Sequence, residues 1–86
     1  MGRKRAKVEY ETADYADMLE RLIRRYGRRV ADGDDLDLAR MVSLVTAMDE
    51  ALHTAVHGQR ERFSWDFIAR ALGVTRSAAY QRFGRR

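Results

Sequence analysis

The stretch Ser64-Trp65-Asp66-Phe67-Ile68-Ala69-Arg70-Ala71-Leu72-Gly73-Val74-Thr75-Arg76-Ser77-Ala78-Ala79-Tyr80-Gln81-Arg82-Phe83 constrains the fold more than any other part of this chain. It reads as a short helix, a tight turn through Gly73 and a second short helix. Ser64 is a good N-cap, because its hydroxyl can accept from a free amide of the first turn. Phe63 and Ile68 occupy the two positions of a hydrophobic staple. Asp66 puts negative charge in the first turn, where the helix dipole favours it. Trp65, Ile68, Ala69 and Leu72 recur at i, i+3, i+4 and i+7 and so share one face. Ala69 is small where a second helix must pass close by. Gly73 can end the first helix in the left-handed conformation at little steric cost. Val74 is expected to fill the space beneath the turn. Thr75 caps the second helix, from which Ala79 and Phe83 point inward. Two helices joined this way cross steeply, and the second can enter a DNA major groove.

The matching residues Ser64-Trp65, Ile68-Ala69, Ala71-Leu72-Gly73-Val74-Thr75-Arg76, Ala78-Ala79 and Arg82-Phe83 carry a resemblance. Residues 63–84 resemble the helix-turn-helix of small actinobacterial and actinophage regulators. Segments of that family read Ser-Trp-x-x-Ile-Ala-x-Ala-Leu-Gly-Val-Ser/Thr-Arg-x-Ala-Ala-x-x-Arg-Phe. The resemblance spans about a quarter of the chain and implies a DNA-binding module. Phe67 departs from the pattern, since that position is usually Glu or another polar residue. An apolar ring there predicts a face covered by the rest of the protein.

Composition narrows the alternatives. The chain of 86 residues is long enough for one domain with a modest core. Its hydrophobic content of 45% beside 35% charged residues is that of a globular protein. There is no proline to interrupt helices. Without cysteine there can be no disulfide, thiolate catalysis or cysteine-bound zinc. No apolar run is long enough for a membrane span, and no secretory signal follows the basic start. A cytoplasmic, nucleoid-associated protein is expected.

The net charge of +4 is unevenly distributed. Residues 1–9 carry +3, from Arg3, Lys4, Arg5 and Lys7 against Glu9. Residues 10–59 hold six arginines against ten acids. Residues 60–86 carry +5, from seven arginines against Glu61 and Asp66. Positive charge thus coincides with the helix-turn-helix and with a flexible basic arm at 1–9. The arm has two readings. It lies in the minor groove, as homeodomain arms do, or it is a disordered end that adds non-specific attraction.

Residues 10–86 read as a single helical domain. Thr12 or Asp14 is expected to cap a first helix. Tyr15, Met18, Leu19, Leu22, Ile23 and Tyr26 form its apolar stripe. Gly27 ends this helix, or Arg28–Ala31 extends it by a turn. Asp32-Gly33-Asp34 is the turn. Asp34 or Asp35 caps a second helix over 36–57, with Gly58 as its end. Leu38, Met41, Val42, Leu44, Val45, Met48, Ala51, Leu52, Ala55 and Val56 cover about half its circumference. One neighbour usually covers less, so this helix is expected to pack on two sides. The fold class is all-α, with about four helices: a long helical hairpin at 10–58 and a helix-turn-helix at 63–84.

The other constellations are weaker. Asp49, His53 and His57 recur at i, i+4 and i+8, but no Glu follows His53 and a bare spacing match is weak support for a metal site. The acids at 32–37 lack the closing Glu of a calcium loop. Arg21, Arg24, Arg25, Arg28 and Arg29 read as a solvated face partly paired with Asp17 and Glu20. No nucleophile with a base stands out, so neither catalysis, cofactor, metal nor small-molecule substrate is expected.

The expected function is sequence-specific binding of double-stranded DNA, as in transcriptional regulation. On the reading helix, Arg76, Ser77, Tyr80 and Gln81 face outward to the bases. Arg76 suits guanine and Gln81 suits adenine, each through two hydrogen bonds. Thr75 and Arg82 are phosphate contacts, and Arg60, Arg62, Arg70, Arg85 and Arg86 are further candidates. A homodimer through the hairpin is expected, on a two-fold operator. The rival reading is a helical protein-interaction or structural module with only weak, non-specific DNA binding.

Overall fold

The computed structural model describes the backbone of residues 2–84 and the side chains of residues 11–84. The fold is all-α. It comprises α1 (Gly2–Ala31), α2 (Asp35–Arg60), α3 (Trp65–Leu72) and α4 (Arg76–Phe83). There is no strand among the described residues. The chain divides into two compact units, Met1–Met41 and Val42–Arg86.

The first unit holds α1 and the opening turns of α2. α1 starts at Gly2, well before Thr12, so the segment read as an arm falls within the helix. Arg3-Lys4-Arg5-Ala6-Lys7 is made of good helix formers, and nothing in it stops the chain from continuing. The side chains of Arg3, Lys4, Arg5 and Lys7 lie outside the described ones. At the other end α1 runs past Gly27 to Ala31. The Asp32 N–H donates to the Arg29 carbonyl at 3.2 Å and the Gly33 N–H to the Val30 carbonyl at 2.9 Å. Asp34 then caps α2 reciprocally. The Asp37 N–H donates to Asp34 Oδ1 at 3.0 Å, and the Asp34 N–H donates to Asp37 Oδ2 at 3.2 Å. This is a capping box built with Asp in place of Glu.

α1 finds little cover within the chain. Tyr26, Gly27 and Val30 are half-buried, as is Met41 on α2. Tyr15, Met18, Leu19, Leu22 and Ile23 are all 40% or more exposed. On α2, Leu36, Leu38, Val42, Leu44, Val45 and Met48 are likewise exposed. The expectation that α2 packs on two sides is therefore not met within one chain. Besides Met41, its C-terminal half finds partners, at Leu52 and Val56.

Those partners form the core of the second unit. Val56, Ile68 and Phe83 are buried together, with Leu52, Phe63, Trp65 and Leu72 packed around them. α2 thus supplies a third helix to the core of α3 and α4. α2 ends at Arg60 rather than before Gly58, since one glycine costs a helix only about 1 kcal/mol. The Arg62 and Phe63 N–H groups close the end on the Gln59 carbonyl, each at 2.9 Å. Ala69 and Ala79 are 3% and 1% exposed, where α3 and α4 lie close together. A longer side chain at either position has nowhere to go. Ala69→Leu is expected to lower stability by about 1–3 kcal/mol through overpacking. Thermal melts of the variant check this, and an unchanged midpoint would mean the two helices do not approach here.

Candidate nucleic-acid interface

Both short helices are capped by their own residues. The Ser64 hydroxyl accepts from the Phe67 N–H at 3.2 Å. The Thr75 hydroxyl accepts from the Ala78 N–H at 3.1 Å. Between them Gly73 adopts φ 73° and ψ 29°, the left-handed region. Its N–H donates to the Arg70 carbonyl at 3.2 Å, and the Val74 N–H donates to the Ala69 carbonyl at 3.0 Å. That pair of bonds is a Schellman motif, which ends α3 and turns the chain into α4. Phe63 and Ile68 meet in the same apolar cluster, as a staple requires.

Two details differ from expectation. Val74 is 45% exposed, and Leu72, on the other side of the glycine, packs on the core instead. Phe67 is 48% exposed rather than covered. Its ring stacks on Phe63, with centroids 4.3 Å apart and planes 14° from parallel. The apolar ring there is served by a neighbour four residues away, not by another element.

α4 presents two faces. Ala79 and Phe83 are buried against the core. Arg76, Ser77, Tyr80 and Gln81 are all exposed. At about 100° per residue Ser77 and Gln81 lie opposite the buried pair, while Arg76 in the first turn and Tyr80 lie beside it. Arg76 Nε sits 3.7 Å from Asp66 Oδ1, and both side chains remain about 70% exposed. Tyr80 meets Trp65 edge to face, with centroids 5.6 Å apart. The Arg60 guanidinium lies over the other side chain of that pair, 5.0 Å from the Trp65 ring. Trp65, Arg76, Ser77 and Tyr80 line a shallow cleft of about 280 Å³. At the end of α4, a Cβ on Gly84 would lie 2.5 Å from the Tyr80 carbonyl oxygen and 2.6 Å from its ring. Glycine there lets the Tyr80 ring lie back along the helix.

The arginines named as phosphate contacts divide into three groups. Arg70 is exposed on α3. Arg60, Arg62 and Arg82 have partners within the chain. Arg60 Nη1 donates to the Phe63 carbonyl at 2.9 Å, and Arg62 lies over the Phe63 ring at 4.9 Å. Arg82 Nη2 donates to Asp49 Oδ1 at 2.5 Å and ties α4 to α2. Arg85 and Arg86 lie outside the described residues. Thr75 uses its hydroxyl on its own helix.

The sequence singled out Asp49 only beside His53 and His57, not as the partner of Arg82. Asp49 stands 33 positions from Arg82, and no local pattern links the two. Asp49 also lies 3.7 Å from His53 Nδ1, and the His53 ring packs 4.5 Å from that of Phe83. This polar flank accounts for two members of the Asp49, His53 and His57 series. Among the described residues, no group of three His, Cys, Asp or Glu is placed to hold a metal ion. None of their helices is long and apolar enough to cross a membrane.

No protein-family model matches this chain, and no curated protein or solved structure is significantly similar to it.

Proposed function

We propose that this protein binds double-stranded DNA in a sequence-specific manner and acts as a transcriptional regulator on the nucleoid. α4 is the helix that enters the major groove. The observation that carries this reading is the outward face of α4. Arg76, Ser77, Tyr80 and Gln81 stand exposed together on a helix that Ala79 and Phe83 anchor to the core. Arg76 donates to a guanine, Gln81 pairs with an adenine, and Tyr80 contacts sugar or a thymine methyl. Asp66 holds the Arg76 guanidinium near the groove before binding and releases it to the base. Arg70 is the freest phosphate contact, with Arg60, Arg62 and Thr75 beside it. Phosphate contacts set the register without reading sequence.

Selection of bound sequences from a random duplex pool tests the reading directly. Enrichment of one motif supports it. Recovery of a random pool, or no salt-dependent binding, sinks it. On the selected site, Arg76→Ala is expected to lower affinity by about 1–3 kcal/mol and to blur one base position. Arg82→Ala is expected to weaken all duplexes alike and to flatten the salt slope by about one. Asp49→Ala frees Arg82 and should not weaken binding. If Asp49→Ala and Arg82→Ala lower affinity equally, Arg82 serves the fold and not the phosphate.

The exposed stripes on α1 and α2 favour a second activity, self-association. A monomer rarely leaves so many large apolar side chains in water. We therefore read the DNA-binding species as a homodimer through residues 10–58, on a two-fold operator. A helical interaction module without specific DNA binding would share the stripes but lack an enriched motif.

A further inference from the structure

α1 carries three features that DNA reading by α4 does not use. The first is its exposed stripe. Tyr15, Met18, Leu19, Leu22 and Ile23 share one face and are between 40% and 60% exposed. Together they offer on the order of 500 Å² of apolar surface, the size of patch that on a monomer is usually functional.

The second is the order of charge along the helix. From 11 to 20 the charged residues are Glu11, Asp14, Asp17 and Glu20, all acidic. From 21 to 29 they are Arg21, Arg24, Arg25, Arg28 and Arg29, all basic. At about 100° per residue, Glu11, Asp14, Arg21, Arg25 and Arg29 lie along the same flank of the stripe. Arg24 is taken up by Glu20 at 3.1 Å, away from that flank.

The third is a symmetry in the stripe itself. About the midpoint between Glu20 and Arg21, Leu19 mirrors Leu22 and Tyr15 mirrors Tyr26. The spacings between these four positions alternate four, three, four. That alternation is the seam of a two-stranded helical pair.

We propose that α1 pairs antiparallel with α1 of a second copy, about a two-fold axis at the Glu20–Arg21 midpoint. This deepens the self-association reading and rests on it; it does not depend on DNA binding. Leu19 packs on the partner's Leu22, and Tyr15 on the partner's Tyr26. In an antiparallel pair each flank faces the same flank of the other helix. Glu11 and Asp14 then run beside the partner's Arg29 and Arg25. A parallel pair would set this flank against the opposite one, where Ala13, Ala16 and Gly27 offer no charge and Glu20 and Arg24 already hold each other. The charge order therefore selects the second copy as occupant and the antiparallel direction. Since the seam is smaller than a standard interface, the dimer is a weak one.

Sedimentation over a wide concentration range gives the first result. A species of twice the 10.0 kDa chain mass is expected at high concentration, and Leu19→Asp with Leu22→Asp is expected to abolish it. A mass of one chain at every concentration overturns both the dimer and its arrangement. Orientation is read by cross-linking, since the chain has no cysteine. Tyr15→Cys and Tyr26→Cys are mixed and oxidised. A disulfide between the two variants is expected to dominate over those within each variant. If the protein is dimeric but the like-with-like disulfides dominate, the antiparallel pairing is wrong while the dimer stands. Charge supplies an independent arm. Arg25→Glu with Arg29→Glu is expected to raise the dimer Kd about ten-fold. Adding Glu11→Arg and Asp14→Arg should restore it. Unchanged affinity in the first double variant would overturn the pairing.

Discussion

Phe83→Ala is expected to bring the second unit close to unfolding, with a loss of about 3–5 kcal/mol. Phe83 is 2% exposed and is the largest side chain buried to that degree. It joins α4 to both other helices of the unit. It shares the cluster with Ile68 of α3 and Val56 of α2, and the His53 ring rests against it. Few other residues are fully buried, so neighbours cannot collapse into the space without dragging α4 inward. Stabilities of small domains run to only about 5–15 kcal/mol, so little margin would remain. Trp65 is the single tryptophan and packs on the same cluster, so its fluorescence reports the transition in denaturant. Phe67→Ala is the control. That ring is 48% exposed, and its loss should shift the midpoint little. If Phe83→Ala and Phe67→Ala melt alike, the core is elsewhere.

Gly73→Val is expected to be nearly as damaging, at the upper end of about 1–3 kcal/mol, for a different reason. Gly73 has φ 73°, where a β-branched side chain is a strong outlier. A Cβ there would meet nothing within 4 Å. The penalty is therefore backbone strain, not a clash. This makes a graded series informative. Gly73→Asn should be mild, because asparagine tolerates the left-handed region. Gly73→Ala should fall between, and Gly73→Val should be worst. On the proposed function, DNA binding should fall in the same order, since the turn sets the angle of α4 against α3. A series ordered by side-chain volume, with alanine milder than asparagine, would point to crowding and refute the strain account.

Much of the α3–α4 pair was legible in the sequence. Ser64, Gly73 and Thr75 act on amides and carbonyls only a few residues away, so their chemistry determined the two caps and the turn. Helical periodicity set Ser77 and Gln81 opposite Ala79 and Phe83, and α4 keeps that division. The same periodicity marked the stripes on α1 and α2.

What tertiary structure alone decided is who covers what. Periodicity states that a face is apolar, because that depends on 3.6 residues per turn and nothing else. It does not state whether a partner arrives. Phe67 implied a covered face and is instead stacked on Phe63 at the surface. Val74 was placed beneath the turn and stays exposed. Arg82 also bonds Asp49, a pairing that only the approach of α4 to α2 creates. Leu52 and Val56 meet a core, while Val45 and Met48 on the same helix do not. Local sequence sets the conformation and faces of each helix through short-range hydrogen bonds and sterics. The pairing of those faces is a contest among all the surfaces of the chain, and no single segment carries its outcome.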